Sequence, residues 1–571
     1  MGSAQRRARG VSRRDLLRLG AIGIGIVSLG AACAPTPPAA PAQPPAAPAK
    51  PAEAAKPAEA AKPAEAAKPA AAAGAPTTAA VAPAQVQPKG SITIVLESDG
   101  DTINPKDGST DNAYFVMYNV YDQLTTREWS GGTSKIVGRL AESFEQSQTD
   151  PKTWRFKLRQ GLTFINGEPI NADAVVNIVT YVTNPDKRGL SIDEYGLGGG
   201  AKATKVDEYT VDITTGAVDA IYPARAAKMP IPAPKWLATM PNDASITQAV
   251  GSGPYQLVEF VKGDHFLLKA NANYWGPNKP KIAEIKILFR NEVAVRTGMI
   301  QAGEAQLATL LIPEAIKQLP ATVVEQTGEA VGIRIDPEHP VLKDLRVRQA
   351  INMAFDRKSM IDALYGEVAE PLNGQLVRKT SVGWNPNLTE YPYDPAKARQ
   401  LVQEAGAVGQ PLELISRNGI FPRVVEVTEL FANQVSQTGL KITVRSLEVG
   451  QWRTVNASVK PGDTRANLFL SSSSDPVLDS SRTMAQKMRC GGVNSAWCDE
   501  EWTAKFNIAQ GLTGDARSKA FQELWQIAYD QNVFIPLFGL NFVHGISPKL
   551  HWDPTKRNDL VRDFSQWILD D

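Results

Sequence analysis

Residues 412–444, LELISRNGIFPRVVEVTELFANQVSQTGLKITV, contain the clearest signal of fold in the chain. The pattern predicts a strand at 412–415, a helix at 424–435 and a second strand at 440–444. Strands that alternate with a helix at this spacing are typical of a parallel βαβ unit. The predicted fold class is therefore α/β.

The sequence on either side of this stretch indicates a chain that leaves one domain and returns to it. Alternating apolar and basic residues at 154–158 predict a β-rich region in the first half. A helical pattern follows late in the chain, at 516–530, and strand-like residues return at 533–543. Pro536 and Gly539 are expected to break that last strand. Because two crossings between domains usually form a hinge, we expect a two-lobed, hinged body.

Composition and charge exclude several classes of function. The chain has 571 residues, 61 Lys and Arg against 60 Asp and Glu, and a formal net charge of +1, so its charge gives no reason to expect a nucleic-acid partner. Its length leaves room for roughly three or four domains. The four histidines lie far apart and the three cysteines are too few for a zinc site. We therefore expect neither a metal nor another cofactor.

No motif in the sequence predicts an enzyme. The chain lacks the Gly-x-Ser-x-Gly turn of hydrolases and the His-Glu-x-x-His helix of zinc proteases. The glycine-rich segment 196–200 has no strand before it and no Lys-Ser/Thr after it, so it does not predict a phosphate loop. Gly251-Ser252-Gly253-Pro254-Tyr255 predicts a tight turn instead. We therefore expect no catalytic residues.

The first residues predict export from the cytoplasm. Residues 1–32 combine an arginine-rich start, a short apolar run and small residues before Cys33, which is the pattern of a signal peptide. Arg13 and Arg14 lie in Ser-Arg-Arg-Asp-Leu-Leu, which resembles the twin-arginine export motif. Cys33 follows two alanines and resembles a lipoprotein cleavage site, so we expect it to carry a lipid anchor. The alternative is a cysteine that merely follows an ordinary signal peptide.

Residues 33–89 predict a tether. Ala and Pro dominate this segment, and the sequence Lys-Pro-Ala-Glu-Ala-Ala begins at Lys50, Lys56 and Lys62. Each proline interrupts a helix, and a segment with almost no large apolar residues cannot bury a core. A spacer after a lipid site holds a folded body near a membrane. We therefore expect the protein in the periplasm or on the outer face of the cytoplasmic membrane.

Two cysteines of the folded body, Cys490 and Cys498, are eight residues apart. In an exported protein they can close a small loop, and we expect a structural disulfide. Two free thiols are the alternative. No neighbouring histidine or Cys-x-x-Cys spacing suggests redox chemistry.

Ordered blocks along the body resemble one known family. They are Tyr121-Asp122-Gln123-Leu124, the pair LAESF at 140–144 and WRFKLRQG at 154–161, the pair GSGPY at 251–255 and NANYWG at 271–276, and RVRQAIN at 346–352 with FDR at 355–357. With these blocks the body resembles the extracytoplasmic solute-binding proteins of ABC importers, of the dipeptide- and oligopeptide-binding type (solute-binding family 5). The likeness covers nearly all of residues 90–560.

The resemblance implies a two-lobed fold like that of the type II periplasmic binding proteins, with an extra domain inserted in the first lobe. We expect lobe 1 to comprise 90–125, 245–335 and 535–571, the inserted β-rich domain 126–244, and the α/β lobe 2 residues 336–534. The resemblance further implies a monomer that closes around a small-molecule ligand and delivers it to an ABC permease in the cytoplasmic membrane.

The resemblance also points to ligand-binding residues. In peptide-binding relatives a Trp-x-x-Asp…Asp-Pro stretch supplies an Asp for the peptide α-amino group, and the matching residues 470–476 here are Leu-Ser-Ser-Ser-Ser-Asp-Pro. We expect ligand contacts from Ser472, Ser473 and Asp475. Because a serine takes the place of the amine-binding Asp, either Asp475 or Asp479 substitutes for it or the ligand has no free amine. A solvated loop is the alternative for this stretch.

Three further residues are expected near the ligand. Arg417 and Asn418 follow the predicted strand at 412–415, and an arginine there could take a carboxylate through two N–H groups; a surface loop is the alternative for both. Tyr121 belongs to the first family block. The resemblance favours a peptide as ligand. The alternatives are another solute such as an oligosaccharide or a metal chelate, a sensory receptor with the same fold, and an extracytoplasmic hydrolase.

Overall fold

A computed structural model describes residues 87–98, 102–106, 111–130, 133–185, 192, 194–240, 248–458, 468–492, 494–553 and 563–570. All of them belong to one compact unit, Ala82–Asp571. The predicted export motif with Arg13 and Arg14, the predicted lipid site Cys33 and the tether up to residue 86 lie outside the described residues. None of the helices in the described ranges combines the length and the hydropathy that a membrane span requires.

The described residues form strands that belong mainly to three sheets. In chain order the strands are β1 (Lys89–Leu96), β2 (Thr125–Ser130), β3 (Thr133–Gly138), β4 (Ala141–Gln146), β5 (Thr153–Leu158), β6 (Lys202–Asp207), β7 (Thr210–Thr214), β8 (Tyr255–Val261), β9 (His265–Ala270), β10 (Ile282–Phe289), β11 (Leu307–Leu311), β12 (Thr322–Glu325), β13 (Ala330–Ile335), β14 (Ala369–Pro371), β15 (Pro411–Arg417), β16 (Lys441–Leu447), β17 (Leu468–Ser473), β18 (Phe534–Leu540), β19 (Phe542–Ile546), β20 (Leu550–His551) and β21 (Ile568–Leu569).

The helices lie between these strands and concentrate in the later half of the chain. In order they are α1 (Asp111–Val120), α2 (Ala172–Thr183), α3 (Tyr222–Ala226), α4 (Pro234–Thr239), α5 (Val293–Gln301), α6 (Ala315–Gln318), α7 (Leu345–Met353), α8 (Arg357–Leu364), α9 (Pro395–Glu404), α10 (Val424–Ser436), α11 (Val449–Ser458), α12 (Ser480–Lys487), α13 (Glu500–Gln510) and α14 (Gly514–Asp530).

The largest sheet has seven strands in the order β12-β19-β11-β1-β10-β9-β8. Its central strand β1 is parallel to both neighbours, β10 and β11. Side chains alternate between the two faces of a strand, so Ile94 and Val95 of β1 point to opposite sides. Ile94 packs in one hydrophobic core with α1, and Val95 packs in the other large core. Both faces of this sheet are therefore covered.

The second sheet has six strands in the order β14-β18-β13-β17-β15-β16. β15 and β16 are parallel, with Pro411 opposite Lys441, and α10 connects them. The βαβ unit predicted from residues 412–444 is thus confirmed. The buried face of α10, which includes Val427, Phe431 and Val435, packs into the core of this sheet because these residues recur at helical spacing.

A third, four-stranded sheet has the order β4-β5-β7-β6, and each neighbouring pair is antiparallel. The alternating stretch 154–158 lies in β5, where Phe156 and Leu158 are buried between exposed residues, so that prediction is confirmed. Asn171 caps α2 by accepting a hydrogen bond from the backbone N–H of Asp173 at 3.1 Å. The first half of the chain is β-rich, as its alternation predicts.

The predicted break in the strand at 533–543 is wrong in its position. β18 runs without interruption through Pro536 and Gly539, and the chain leaves the strand only at Asn541. The pairing of β18 with β13 shifts register between Val331 and Gly332, beside Pro536. Because such a bulge leaves a residue out of the ladder, a proline without an N–H is tolerated there.

The chain crosses twice between the two large sheets. It leaves β12 and enters β13 through residues 326–329, and it returns from β18 to β19 at Asn541. Arg378 joins the two crossings, because its Nη1 donates to the carbonyl of Thr327 at 3.0 Å and to Oδ1 of Asn541 at 2.9 Å. The backbone N–H of Thr327 also donates to Oδ1 of Asn541 at 3.3 Å. The two crossings are therefore tied to each other.

Candidate functional site

The carboxyl end of β17 carries the serines and the aspartate that the sequence analysis singles out. Ser471, Ser472 and Ser473 end the strand, and Ser473 forms a hydroxyl–hydroxyl bond of 2.8 Å with Thr483 of α12. Asp475, which is 1% exposed, accepts hydrogen bonds from the hydroxyl of Ser381 and from the backbone N–H of Asp479, the latter at 3.0 Å. This stretch is thus packed into the protein rather than solvated.

Asp479 forms a buried ion pair with Arg517 of α14. The guanidinium binds the carboxylate with two N–H groups, at 2.7 and 2.9 Å, and both side chains are nearly inaccessible. Asp479 also caps α12, because it accepts a hydrogen bond from the backbone N–H of Ser481 at 3.0 Å. Both oxygen atoms of the Asp479 carboxylate therefore accept hydrogen bonds from within the fold.

Lys487, at the last position of α12, brings a positive charge to the end of β17. Its Nζ donates to the hydroxyl of Ser471 at 2.8 Å and to the carbonyl of Ser472 at 3.1 Å, and the residue is 3% exposed. Burial, together with the nearby charge of Arg334, lowers the pKa of Lys487 to about 7, against the opposing influence of Glu329. Sequence analysis missed this residue, since nothing in its local pattern distinguishes it from a surface lysine.

Arg334 of β13 lies on the same side of the sheet. Its guanidinium covers the ring of Phe469 at 4.5 Å, and its Nη1 donates to the carbonyl of Asn494 at 2.9 Å. Its Nη2 is buried and has no hydrogen-bond partner among the described residues. Burial lowers the pKa of Arg334 to about 10.

A second cluster of charges joins α12 to the β-rich first half of the chain. Arg482 donates to Glu194 at 2.6 Å, Gln486 donates to the same carboxylate at 3.2 Å, and Lys228 binds its other oxygen. Burial alone would raise the pKa of Glu194, but Arg482 and Lys228 hold it well below its ordinary value. Glu194 is thus a buried anion held from two sides.

Further hydrogen bonds cross at the same place. Arg225 donates to the hydroxyl of Ser481 at 3.3 Å, and Arg127 donates to the carbonyl of Val477 at 3.0 Å. These contacts connect the segment between β17 and α12 to residues more than 250 positions earlier, because the two bonds span 256 and 350 residues. The end of β17 and the start of α12 therefore lie at a junction between two parts of the molecule.

Buried tyrosines surround this junction on the side of the first half. The hydroxyls of Tyr121 and Tyr222 are buried and have no hydrogen-bond partner among the described residues, whereas Tyr114 interacts with Tyr195. The ammonium of Lys228 lies 4.9 Å from the centre of the Tyr114 ring, and Tyr121 packs against Trp236 with 6.0 Å between ring centres. Buried hydroxyls normally find a partner, so Tyr121 and Tyr222 are exceptions to that rule among the described residues. Burial raises the pKa of all three.

Arg417 and Asn418 lie at the carboxyl end of β15, the strand next to β17. The guanidinium of Arg417 lies 5.4 Å from the centre of the Trp452 ring. Asn418 is exposed and donates to Glu448 at 2.8 Å. β15 and β17 pair in parallel through Ile415 and Phe469, so Arg417 and Ser471, two residues further on, share one face of the sheet.

Cys490 and Cys498 are joined by a disulfide between α12 and α13. The backbone N–H of Cys490 donates to the hydroxyl of Thr503 at 3.1 Å, which fixes the loop on α13. The part of the chain that the structure describes holds no group of three or more His, Cys, Asp or Glu side chains able to bind a metal ion.

Comparison with known proteins gives consistent matches along the body. The family model of the bacterial extracellular solute-binding proteins, family 5, matches residues 135–491. Di/tripeptide-binding protein 1 of Pseudomonas aeruginosa is 27% identical over 454 residues, which cover 73% of this chain and 83% of the relative. Among solved structures, the periplasmic binding protein DppA of Helicobacter pylori, in complex with the peptide STSA, superposes with a TM-score of 0.74 at 19% identity and covers 84% of this chain and 98% of that protein.

A further solved structure has a different ligand. The binding protein AgaA of A. tumefaciens, in complex with agropinic acid, superposes with a TM-score of 0.73 at 18% identity, over 84% of this chain and 99% of that protein. At these identities the superpositions establish the two-lobed fold and not the ligand.

Proposed function

We propose a function from the premise that this chain belongs to the bacterial extracellular solute-binding proteins of family 5, the solute-binding components of ABC importers. The protein captures a small solute between its two lobes and delivers it to a membrane permease. Binding favours the closed arrangement of the lobes, and the permease recognises that arrangement.

The contacts of Glu194 are the observation that carries this proposal. Its carboxylate binds both Lys228 of the β-rich half and Arg482 of α12, which lies 288 residues after Glu194 in the chain. Such a buried charge cluster forms only when the two parts of the molecule lie against each other, and it then holds them together. Two crossings tied by Arg378 support a hinge on which these parts can move.

The solute lies, in this proposal, between the end of β17 and the tyrosine-lined side of the junction. Ser472, Ser473 and Asp475 line it on one side and Tyr121 on the other, with Arg417 and Asn418 at the end of β15. Support comes from the hydroxyls of Tyr121 and Tyr222, which have no partner among the described residues and which a polar solute can pair. The predicted domain boundaries remain part of this proposal.

We take a short peptide as the first class of solute, because the curated relative is a di- and tripeptide-binding protein. A non-peptide solute is the second candidate. The ion pair between Asp479 and Arg517 favours a non-peptide solute, because an aspartate that is already paired is not free to bind the α-amino group of a peptide.

The test of the proposal is saturable binding coupled to closure. The purified folded body, residues 82–571, is titrated with a panel of di- and tripeptides while tryptophan fluorescence and small-angle X-ray scattering are recorded. We expect a decrease in the radius of gyration that saturates at the same concentration as the fluorescence change. A body whose scattering stays unchanged with every solute that binds would contradict closure.

Attachment to the membrane is a separate part of the proposal. Export through Arg13 and Arg14 and lipidation of Cys33 place the protein outside the cytoplasm, held by its Ala/Pro-rich tether. Cys33→Ser should shift the protein from the membrane fraction to the soluble extracytoplasmic fraction. A variant that stays in the membrane fraction would contradict the lipid anchor. A neighbouring permease gene distinguishes an importer from a sensory receptor.

A further inference from the structure

We infer that the solute is recognised through an anionic group, a carboxylate, which Lys487 and Arg334 receive beside β17, on the face of the strand that carries Phe469 and Ser471. This inference rests on the proposed function. It follows from two observations. Among the described residues, two buried basic side chains have no carboxylate within ion-pair distance, and two nearby carboxylates are already engaged.

The two cations reach the same face of β17 from different elements. Side chains alternate along a strand, so Phe469 and Ser471 share one face and lie about 7 Å apart. Arg334 of β13 covers the ring of Phe469, and Lys487 of α12 donates to the hydroxyl of Ser471. Arg417 on β15, two residues after the pair Ile415–Phe469, is on that same face. Positive charge therefore concentrates around two neighbouring residues of β17.

Neither Lys487 nor Arg334 forms an ion pair within the described residues. Lys487 binds two neutral oxygen atoms, and Nη2 of Arg334 binds none. Glu329 acts electrostatically on Lys487, and Asp336 acts electrostatically on Arg334. A buried cation without a counter-charge is strongly unfavourable, and an anion that enters here offsets that cost for both groups at once.

The carboxylates that follow β17 are not available to bind a positively charged group of a solute. Asp479 is held by two N–H groups of Arg517 and by the backbone of α12. Asp475 accepts from Ser381 and from the backbone of Asp479. An ammonium group would therefore meet two cations and two engaged carboxylates. The group of the solute that lies here is therefore negative. A peptide solute needs no charged α-amino group in order to bind.

The test uses three peptides that differ only at their ends: tri-alanine, N-acetyl-tri-alanine and tri-alanine amide, each titrated into the body by calorimetry. We expect the first two to bind equally, and the amide to bind about 10- to 100-fold more weakly, because it lacks the carboxylate. An amide that binds as tightly as the free acid would overturn the inference, and so would acetylation that abolishes binding.

A second arm needs no known ligand. Protein purified without dialysis is examined by native mass spectrometry as wild type, as Lys487→Met and as Lys505→Met, the last an exposed lysine paired with Glu501 on α13. We expect an anionic solute that is lost from Lys487→Met and kept by the control. A neutral or cationic solute, or one retained equally by Lys487→Met, would overturn the inference.

The two proposals fail in different ways. A protein that carries no solute and binds none of the three peptides contradicts the proposed function, and the anion inference falls with it. A protein that binds and closes around a solute without regard to its negative group contradicts the anion inference alone. Lys487→Met removes an unpaired buried charge and is expected to fold, which its melting temperature checks.

Discussion

Single residues around α12 show two opposite ways of burying a charge. Asp479 and Arg517 neutralise each other through two short hydrogen bonds, at 2.7 and 2.9 Å. Lys487, one helix length away, has only neutral oxygen atoms as partners. The Asp479–Arg517 pair stabilises the fold only when both residues are present. The arrangement around Lys487 is suited to a ligand that binds reversibly.

Asp479→Asn should lower the free energy of unfolding by about 3–5 kcal/mol, because Arg517 would remain buried without its counter-charge. Urea denaturation followed by tryptophan fluorescence measures this loss. As a control, Asp362→Asn breaks the exposed pair with Lys358 and should change the midpoint little. Equal, small losses for both variants would show that the buried pair contributes nothing special.

Binding of an anionic solute should weaken as the pH rises above about 7. Lys487 has a pKa of about 7 in the unbound protein, with Arg334 and Arg482 as its positive neighbours and Glu329 as its negative one. An anion favours the charged ammonium and so raises this pKa, which means that binding above pH 7 takes up a proton. Calorimetry at pH 8 in two buffers of different ionisation enthalpy measures the uptake. Lys487→Met should take up none, and an equal uptake by that variant would assign the proton to another group.

Among the elements, the loop between α12 and α13 is closed by the disulfide of Cys490 and Cys498. The double variant Cys490→Ser/Cys498→Ser should lose about 2–3 kcal/mol of unfolding free energy, since the unfolded chain regains the freedom of a short loop. Thermal or urea unfolding with and without a reducing agent gives the same comparison in the wild-type protein. Identical midpoints in both conditions would mean that the bond does not restrict the unfolded chain.

Elements with a local signal could be predicted, and those that depend on a partner strand could not. The parallel unit of β15, α10 and β16 follows from hydrophobic periodicity within the 33 residues 412–444, which is a local property of the sequence. The continuity of β18 does not, because Pro536 is accommodated by a bulge against β13, some 200 residues earlier.

The same limit applies to the site. The stretch Ser471–Asp475 is visible as a motif at the end of a predicted strand. Glu194, Lys228 and Lys487 carry no such mark, since their importance comes from contacts with distant segments; Glu194 and Arg482 are 288 residues apart. Burial turns an ordinary charged residue into part of a site, and burial depends on the whole fold.

For the whole molecule, Glu194→Gln should shift the balance between open and closed forms. Without the carboxylate, Lys228 and Arg482 face each other as like charges and oppose closure. We expect a several-fold loss of solute affinity, because the closed form is less populated before binding. Scattering of the solute-free protein should show a larger radius of gyration than wild type. Glu304→Gln, an exposed position, is the control, and a Glu194→Gln body that matches it in both measurements would exclude a role for Glu194 in closure.

The bonds of Arg378 to Thr327 and Asn541 have a kinematic consequence. Two independent connectors would let the halves twist, slide and tilt separately. Because the two connectors are bound to each other, we expect them to form a single hinge axis, so that the halves can only rotate about that axis. Spin labels placed at several positions on the two halves should then give distances that all vary along one curve, each determined by the same angle. In the variant Arg378→Met the two connectors are no longer tied, so the measured distances should vary independently of one another.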